Sequence, residues 1–462
     1  MARTSKPTRR ARERLFRKIL IANRGEIAVR ILRTCRELGI ATVAVYSQAD
    51  ADSLHVRLAD EKVCIGPPPS RESYLNVSNL MAAALMTECE AIHPGVAFLS
   101  ESPHFAEACA DCGLTFIGPP AHLMEQMGNK ALARRTMAQA GLPVVPGTEG
   151  SVVNEQQALQ FGRQAGYPLL IKATMGGGGR GIRLVASEEA LAESLRVAQS
   201  EAKGAFGDGS VYLEKYIEDA RHIEFQVLAD AHGHLVHLGE RDCSVQTQNH
   251  QKMIEEAPAP NLPLAVRDKM GEMLLGALAK VGYRNMGTVE FLVDKEFNFW
   301  FVEMNTRLQV EHTITECVTG LDLVEQQIRV AAGEPLAFTQ DDIKINTVAL
   351  ECRIDARDTN NGFTPMSGEI TQFVPPGGIG VRVDTHLYTG YHVPSAYDPL
   401  LAKVIAHAPT REQALRRMDR ALAEMIVEGV TTTLHFQRAV VNNEYFRKGD
   451  LSTSFLRRRM GV

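Results

Sequence analysis

The sequence predicts an α/β protein of several domains: an N-terminal β/α unit on a parallel sheet, a glycine-rich flap, and a large C-terminal unit of mixed strands and helices. Three observations predict it. At 462 residues the chain exceeds what one hydrophobic core usually sustains. KILIANRGEIAVRILRTCRELGIATVAVYS reads as strand, turn, helix, strand. LLIKATMGGGGRGIRLV sets a glycine run between two strand-like stretches.

Composition narrows the function classes. Hydrophobic residues are 45% and charged residues 23%, as in ordinary globular domains. A formal net charge of -5 gives no case for nucleic acid or an anionic membrane as partner. No apolar run approaches the length of a spanning helix. The 8 cysteines do not suggest a disulfide scaffold, and a reducing cytoplasm is the expected setting. Cys109 and Cys112 form a CxxC with no second pair at metal spacing, so no zinc or redox site is expected. The basic start, MARTSKPTRRARERLF, lacks an apolar signal core. Residues 1–16 are expected to be a disordered leader.

The first unit, residues 17–130, opens with a strand over Ile19–Ala22. Its helix carries Ile27, Ile31 and Leu38 on one face and ends at Gly39. The plan is Rossmann-like, but the first turn reads NRGEIA and lacks the glycines of a dinucleotide site. Residues 131–216 comprise a linker and a compact unit from about Pro143. There YPLLIKA and GIRLV flank the glycines, a helix is expected over SEEALAESLRVAQSEAKGAF, and VYLEKYI closes the unit. Residues 217–462 begin with strands HIEFQVLAD and LVHLGERD, joined at HGH. Helices are expected at 265–281 and at about 411–428, and GTVEFLVD with FNFWFVEMN reads as a hairpin.

Two patterns point to chemistry. Lys172 precedes Gly176, Gly177, Gly178 and Gly179, the reverse of a Walker A loop. Backbone N–H groups of such a run can still cradle phosphate; a surface hairpin is the alternative. In the hairpin, Glu290 and Glu303 fall roughly opposite, each flanked by apolar residues. Buried carboxylates need compensation, from a cation such as magnesium or manganese with Asn305 as a third oxygen ligand, or from a lysine. After this strand, VEMNTRLQVEH places Glu303, Asn305, Arg307, Gln309 and Glu311 at every second position. If the chain stays extended, these five share one strand face.

Together KILIANRGEIAVRI, AIHPGVAFLSE, LIKATMGGGGRGI, EKYIEDARHIEFQVLAD, HQKMIEEAPAP, VEMNTRLQVEH and ALECRIDA closely resemble the biotin carboxylase family of ATP-grasp enzymes, over residues 17–455. The resemblance implies ATP- and bicarbonate-dependent carboxylation of biotin N1′ on a carrier, with magnesium or manganese. Lys130 and Lys172 then resemble lysines that hold ATP, and Glu214, Lys215, Tyr216 and Ile217 the adenine hinge. His222, Gln246 and His250 resemble nucleotide-site residues, and Glu290, Glu303 and Asn305 the metal site. Lys252, Arg307, Gln309 and the Val310 backbone resemble the bicarbonate pocket. Glu311 resembles its general base, and Arg353 the arginine that stabilises the biotin enolate. A separate biotin carboxyl carrier protein, a carboxyltransferase, a homodimer through Arg33 and Glu37, and an acceptor such as acetyl-CoA, as in fatty acid synthesis, are further implications. A non-catalytic ATP-binding paralogue and an ATP-grasp ligase with another acceptor are the alternatives.

The chain departs from the familiar pattern in five places. Met175 replaces a glycine, Val96 and Ala97 replace tyrosine and glycine, and Asn129 replaces aspartate. QTQNHQK replaces QRRHQK, and Thr313 replaces proline. The charged set is intact.

Overall fold

In the computed structural model, which describes residues 15–148, 150–152, 154–174 and 182–462, the chain opens as the alternation of its first segments dictates. Strand β1 (Lys18–Ile21) leads into helix α1 (Gly25–Glu37), and β2 (Ala41–Ser47), β3 (Glu61–Gly66), β4 (Ala91–His93) and β5 (Thr115–Phe116) complete a five-stranded sheet in the order β3-β2-β1-β4-β5. All its pairings are parallel. Gly39 takes φ 71°, the left-handed conformation that ends a helix without a Cβ clash. Leu15 and Phe16, the last two residues of the expected leader, pack with Ile19, Ile21 and Ile27, and residues 1–14 lie outside the described residues. An aromatic ring that covers a sheet end is core, whatever the charge of the segment before it.

Helix α2 (Lys130–Ala140) leads towards the flap, whose strands β6 (Leu169–Ala173), β7 (Ile182–Val185) and β8 (Val211–Lys215) form an antiparallel sheet in the order β7-β6-β8. Helix α3 (Leu191–Phe206) buries Leu191, Leu195, Ala198 and Ala202 against Leu169, Ile171 and Leu213. Gly176 to Gly179 lie outside the described residues.

The third sheet positions the site. Its strands are β9 (Arg221–Ala229), β10 (Leu235–Gln246), β11 (Lys252–Ala257), β12 (Asn285–Val293), β13 (Phe299–Asn305), β14 (Val348–Asp355), β15 (Val381–Thr385) and β16 (Leu400–Ala408), in the order β13-β12-β9-β10-β11-β14-β16-β15. Period-two alternation sorts their side chains. Ile223, Phe225 and Val227 join Val289 and Phe291 beneath helix α4 (Leu264–Val281), which leaves His222, Glu224 and Gln226 on the opposite face. On β14, Leu350, Cys352 and Ile354 pack with Leu415 and Met418 of a helix over Arg411–Glu424, which leaves Glu351 and Arg353 on the other face. That helix was expected to reach about residue 428. Instead Ile426–Glu428 is a strand paired with Gln372–Val374, where the β-branched Ile426 and Val427 fit the pleat.

The first and third units are joined by a buried polar knot. The Arg24 guanidinium donates to Asp50 at 2.6 and 2.7 Å and lies 4.4 Å from the Tyr397 ring centroid, and Tyr74 donates to Asp50 at 2.6 Å. His55 is buried beside it, 3.2 Å from the Val45 carbonyl. Burial pushes the His55 imidazole down to about 4 and His386 down to about 3. Both are therefore neutral in the folded chain. Their contribution is full above the unfolded histidine value of about 6.5 and is lost as pH falls through the folded values. Thermal melts should show stability falling from pH 6.5 towards pH 4. His55→Gln should remove about 3 kcal/mol of that fall, since a shift from 6.5 to about 4 corresponds to that much. An unchanged pH slope in the variant would refute this assignment.

Candidate active site

The polar face of the third sheet opens into a cleft of about 1340 Å³ that runs from Lys130 and Lys172 past Glu290 and Glu311 to Arg353 and Tyr397. At its centre stands the Lys252 ammonium. It donates to Glu224 at 2.6 Å, Glu311 at 2.7 Å and Glu290 at 3.0 Å. Burial alone would lower this ammonium's pKa, but Glu224, Glu290 and Glu311 outweigh burial and hold it well above the ordinary value. Sheet register makes the meeting possible: Glu224 pairs with Glu290 on β12 and with Arg241 on β10, and Glu290 pairs with Glu303 on β13. The expected cross-hairpin placement of Glu290 and Glu303 is thus present.

The row from Glu303 to Glu311 is not one strand face. Strand β13 ends at Asn305, the chain bends at Thr306 and Arg307, and α5 (His312–Thr319) starts directly after Glu311. Leu308 is fully buried in a core cluster and draws the chain off the sheet. The polar groups still converge. Arg307 donates to Gln309 at 3.0 Å and Asn305 at 3.2 Å. Glu311 accepts from Lys252 through one oxygen and from Arg353 at 2.8 Å through the other. Arg353 also donates to the buried Glu255 at 2.6 Å. Period two placed the right residues together through a bend rather than a strand.

At the other end of the cleft, Lys172 pairs with Glu214 at 2.5 Å and Lys130 with Glu303 at 2.7 Å. Tyr216 and Ile217 line the wall. Lys215 turns away and donates to the carbonyls of Gly166 and Tyr167, each at 3.1 Å, which ties the end of β8 to the turn before β6. His222 lies 3.2 Å from Glu290; burial lowers its pKa, but Glu290 and Glu224 push it up to about 9, so it is protonated at neutral pH. Gln246 donates to the Cys243 carbonyl at 2.7 Å. His250 sits at φ 59° in the turn where its N–H meets the Thr247 carbonyl at 2.9 Å, and burial lowers its imidazole.

The donor set Glu290, Glu303 and Asn305 fits a magnesium- or manganese-sized ion: two carboxylates in register and an amide oxygen two positions beyond the second. Here the same carboxylates are satisfied by Lys252, His222 and Lys130, and the Asn305 amide donates to Glu290 at 3.0 Å. The lysine alternative thus describes the cleft as it stands, and the oxygens are the kind that an ion arriving with a polyphosphate could take over.

Four partners went unread in the sequence. Glu224 and Arg241 are fully buried and joined at 2.6 Å, and Arg241 also donates to Gln226 and Thr315, each at 2.9 Å. Glu255 braces Arg353, and Glu101 accepts from Arg307 at 2.8 Å. The alternation in RHIEFQV carried a signal for Glu224; Glu101 lies too far from its partner for any spacing rule. Among the departures, Asn129 caps α2 by accepting from the Leu132 N–H at 3.0 Å, and Thr313 donates to Glu351, a bond proline could not make. Val96 and Ala97 line the cleft, with Ala97 at φ 55° in a conformation glycine adopts more readily.

Three family descriptions match almost all of the chain: the biotin carboxylase N-terminal domain over residues 15–124, the carbamoyl-phosphate synthase L chain ATP-binding domain over 129–339, and the biotin carboxylase C-terminal domain over 351–458. Biotin carboxylase 1 of Bacillus subtilis is 51% identical over 96% of this chain and 98% of its own. Among solved structures, the biotin carboxylase domain dimer of Hydrogenobacter thermophilus 2-oxoglutarate carboxylase, in complex with MgADP, ADP and bicarbonate, is 45% identical, with a TM-score of 0.94 over 96% of this chain and 98% of that one. The biotin carboxylase subunit of a pyruvate carboxylase is 46% identical, with a TM-score of 0.83 over the same shares of the two chains, 96% and 98%.

Arg241 supplies the positive charge that the buried Glu224 needs on its far side. Arg241→Met should cost about 3–5 kcal/mol, because it leaves part of a buried carboxylate without its partner. Urea unfolding measures this; a loss below about 1 kcal/mol, the range of an exposed pair, would show that Lys252 alone suffices.

Proposed function

The chain belongs to the biotin carboxylase family, and from that premise we propose the roles its residues take in carboxylating biotin with ATP and bicarbonate. The observation that carries the assignment is the double hold on Glu311, with Lys252 on one carboxylate oxygen and Arg353 on the other. Two cations fix the direction of this carboxylate beside the guanidinium of Arg307, where a small planar anion can bind within its reach.

In this reading Arg307, Gln309, Lys252 and the Val310 backbone hold bicarbonate. Glu311 removes its proton as a bicarbonate oxygen attacks the γ-phosphate of ATP and the bond from the γ-phosphorus to ADP breaks. Lys130 and Lys172 draw the phosphates in, and each must leave its present carboxylate partner to do so. The hinge at Glu214 to Ile217 meets the adenine, with His222, Gln246 and His250 on the nucleotide side. Glu290, Glu303 and Asn305 would hold the magnesium ion, whose charge offsets that of the phosphate oxygens. The carboxyphosphate so formed breaks down to carbon dioxide and phosphate, and the phosphate takes the N1′ proton of biotin. Arg353 then stabilises the negative charge on the ureido oxygen as N1′ attacks carbon dioxide. The glycine run Gly176 to Gly179 is proposed to cover the phosphates, which would keep water from carboxyphosphate.

Biotin reaches the cleft on a carrier protein, and a separate carboxyltransferase passes the carboxyl group to an acyl-CoA or a related acceptor. That this chain matches relatives named for different carboxylases supports a first half-reaction common to them. No described helix is long and apolar enough to cross a membrane. A homodimer is supported by the dimeric relative and by the hollow that Arg33 and Glu37 share with Glu316, Asp322 and Arg382.

ATP hydrolysis with magnesium and free biotin should require bicarbonate. Glu311→Gln should lower turnover about 10²–10⁴-fold, the usual contribution of a general base, with ADP affinity retained. Hydrolysis indifferent to bicarbonate would refute the function, and undiminished turnover in the variant would refute the base.

A further inference from the structure

Lys403 lies on β16 directly opposite Arg353 on β14, with Asp384 of β15 opposite it on the other side. Its side chain is fully buried, at 0% exposure. The ammonium donates to the Val310 carbonyl at 2.8 Å and pairs with Glu26 of α1 at 3.1 Å. Arg353, its cross-strand neighbour, holds the side chain of Glu311 at 2.8 Å. Two adjacent cations on one sheet face therefore grip two successive residues of one turn, one through the backbone and one through a side chain.

The turn needs such a hold. Val310 and Glu311 stand between a bend and the first turn of α5, outside any strand ladder. Glu311 occupies the N-cap position, yet its side chain makes no cap hydrogen bond, because both its oxygens face cations. The local hold on the Val310–Glu311 peptide is a turn bond around it, from the His312 N–H to the Gln309 carbonyl at 3.3 Å, while the Val310 carbonyl itself is bonded by Lys403 at 2.8 Å. A lysine whose only task was to neutralise Glu26 could be dispensed with together with it, since an apolar pair in such a place is often no less stable. The carbonyl bond is the part that such a replacement would not restore.

We propose that Lys403 is a positioning residue: by anchoring the Val310 carbonyl it fixes the turn from which the Val310 N–H and the Glu311 carboxylate meet bicarbonate. The inference rests on the reading of the site given above and deepens it. Lys403 touches no substrate. It acts through the turn, and Glu26 is its counter-ion.

The test is steady-state bicarbonate-dependent ATP hydrolysis by the full chain with free biotin, on Lys403→Met, Glu26→Gln and the double variant, each with a thermal melt. Lys403→Met should lower kcat by about 100-fold and raise KM for bicarbonate, the effect of misplacing a reacting group by about an ångström, while KM for ATP stays at the parent value. Glu26→Gln keeps the carbonyl bond and should keep the parent KM for bicarbonate. The double variant removes both buried charges and should regain Tm without regaining turnover. Parent-like kinetics in Lys403→Met, an equal rise in bicarbonate KM in Glu26→Gln, or turnover returning together with Tm in the double variant would each overturn the proposal. If Lys403→Met does not fold, the other two variants still decide it. If the parent chain itself hydrolyses ATP without regard to bicarbonate, the reading of the site fails first and the clamp falls with it.

Discussion

Three buried carboxylates would repel one another at the heart of this molecule if the Lys252 ammonium did not stand between them. Glu224 comes from β9, Glu290 from β12 and Glu311 from the turn before α5, and each lies within 3.0 Å of the same nitrogen. In a buried setting such charges interact strongly, so the cluster tolerates neither the loss of the lysine nor a shift in register. The eight-stranded sheet meets that demand. Its period of two fixes the spacing of side chains on one face, and antiparallel pairing sets Glu224, Glu290 and Glu303 in line. The apolar residues of the opposite face, Phe225 and Phe291 among them, hold the sheet to α4 and so hold the charges in place.

The remaining cations extend that cluster in both directions. Lys130 and Lys172 sit with Glu303 and Glu214 at one end of the cleft, and Arg353 with Glu255 and Glu311 at the other. The cleft is thus internally neutralised. Anions that enter must take cations from carboxylates, and a divalent ion brought with them can take the carboxylates that are freed. Exchange of this kind fits a site that binds a nucleotide with its metal and a small anion beside it.

Much of this was legible in the sequence. The strand–turn–helix rhythm of residues 18–47 and the hairpin pairing Glu290 with Glu303 both follow from hydrophobic period. Local pattern was misleading where tertiary packing decides. The alternation from Glu303 to Glu311 suggested one long strand, but burial of Leu308 bends the chain, and the same five residues meet around a turn. Phe16 looked like the end of a basic leader and is core. Glu101 and Lys403 lay beyond reach, because their partners, Arg307 and Val310, are brought to them only by the fold. The named roles of single residues came from the resemblance of long segments; no lone arginine or histidine would have supported them.

In the proposed reaction one pocket sets bicarbonate against the γ-phosphate, with Glu311 as base. The most direct measurement is the fate of oxygen: ATP turned over with magnesium, biotin and ¹⁸O-labelled bicarbonate, and the released phosphate analysed by mass. The released phosphate should acquire its new oxygen from bicarbonate. Phosphate whose new oxygen comes from water would contradict the proposed reaction, since water rather than bicarbonate would then be the group that attacks ATP.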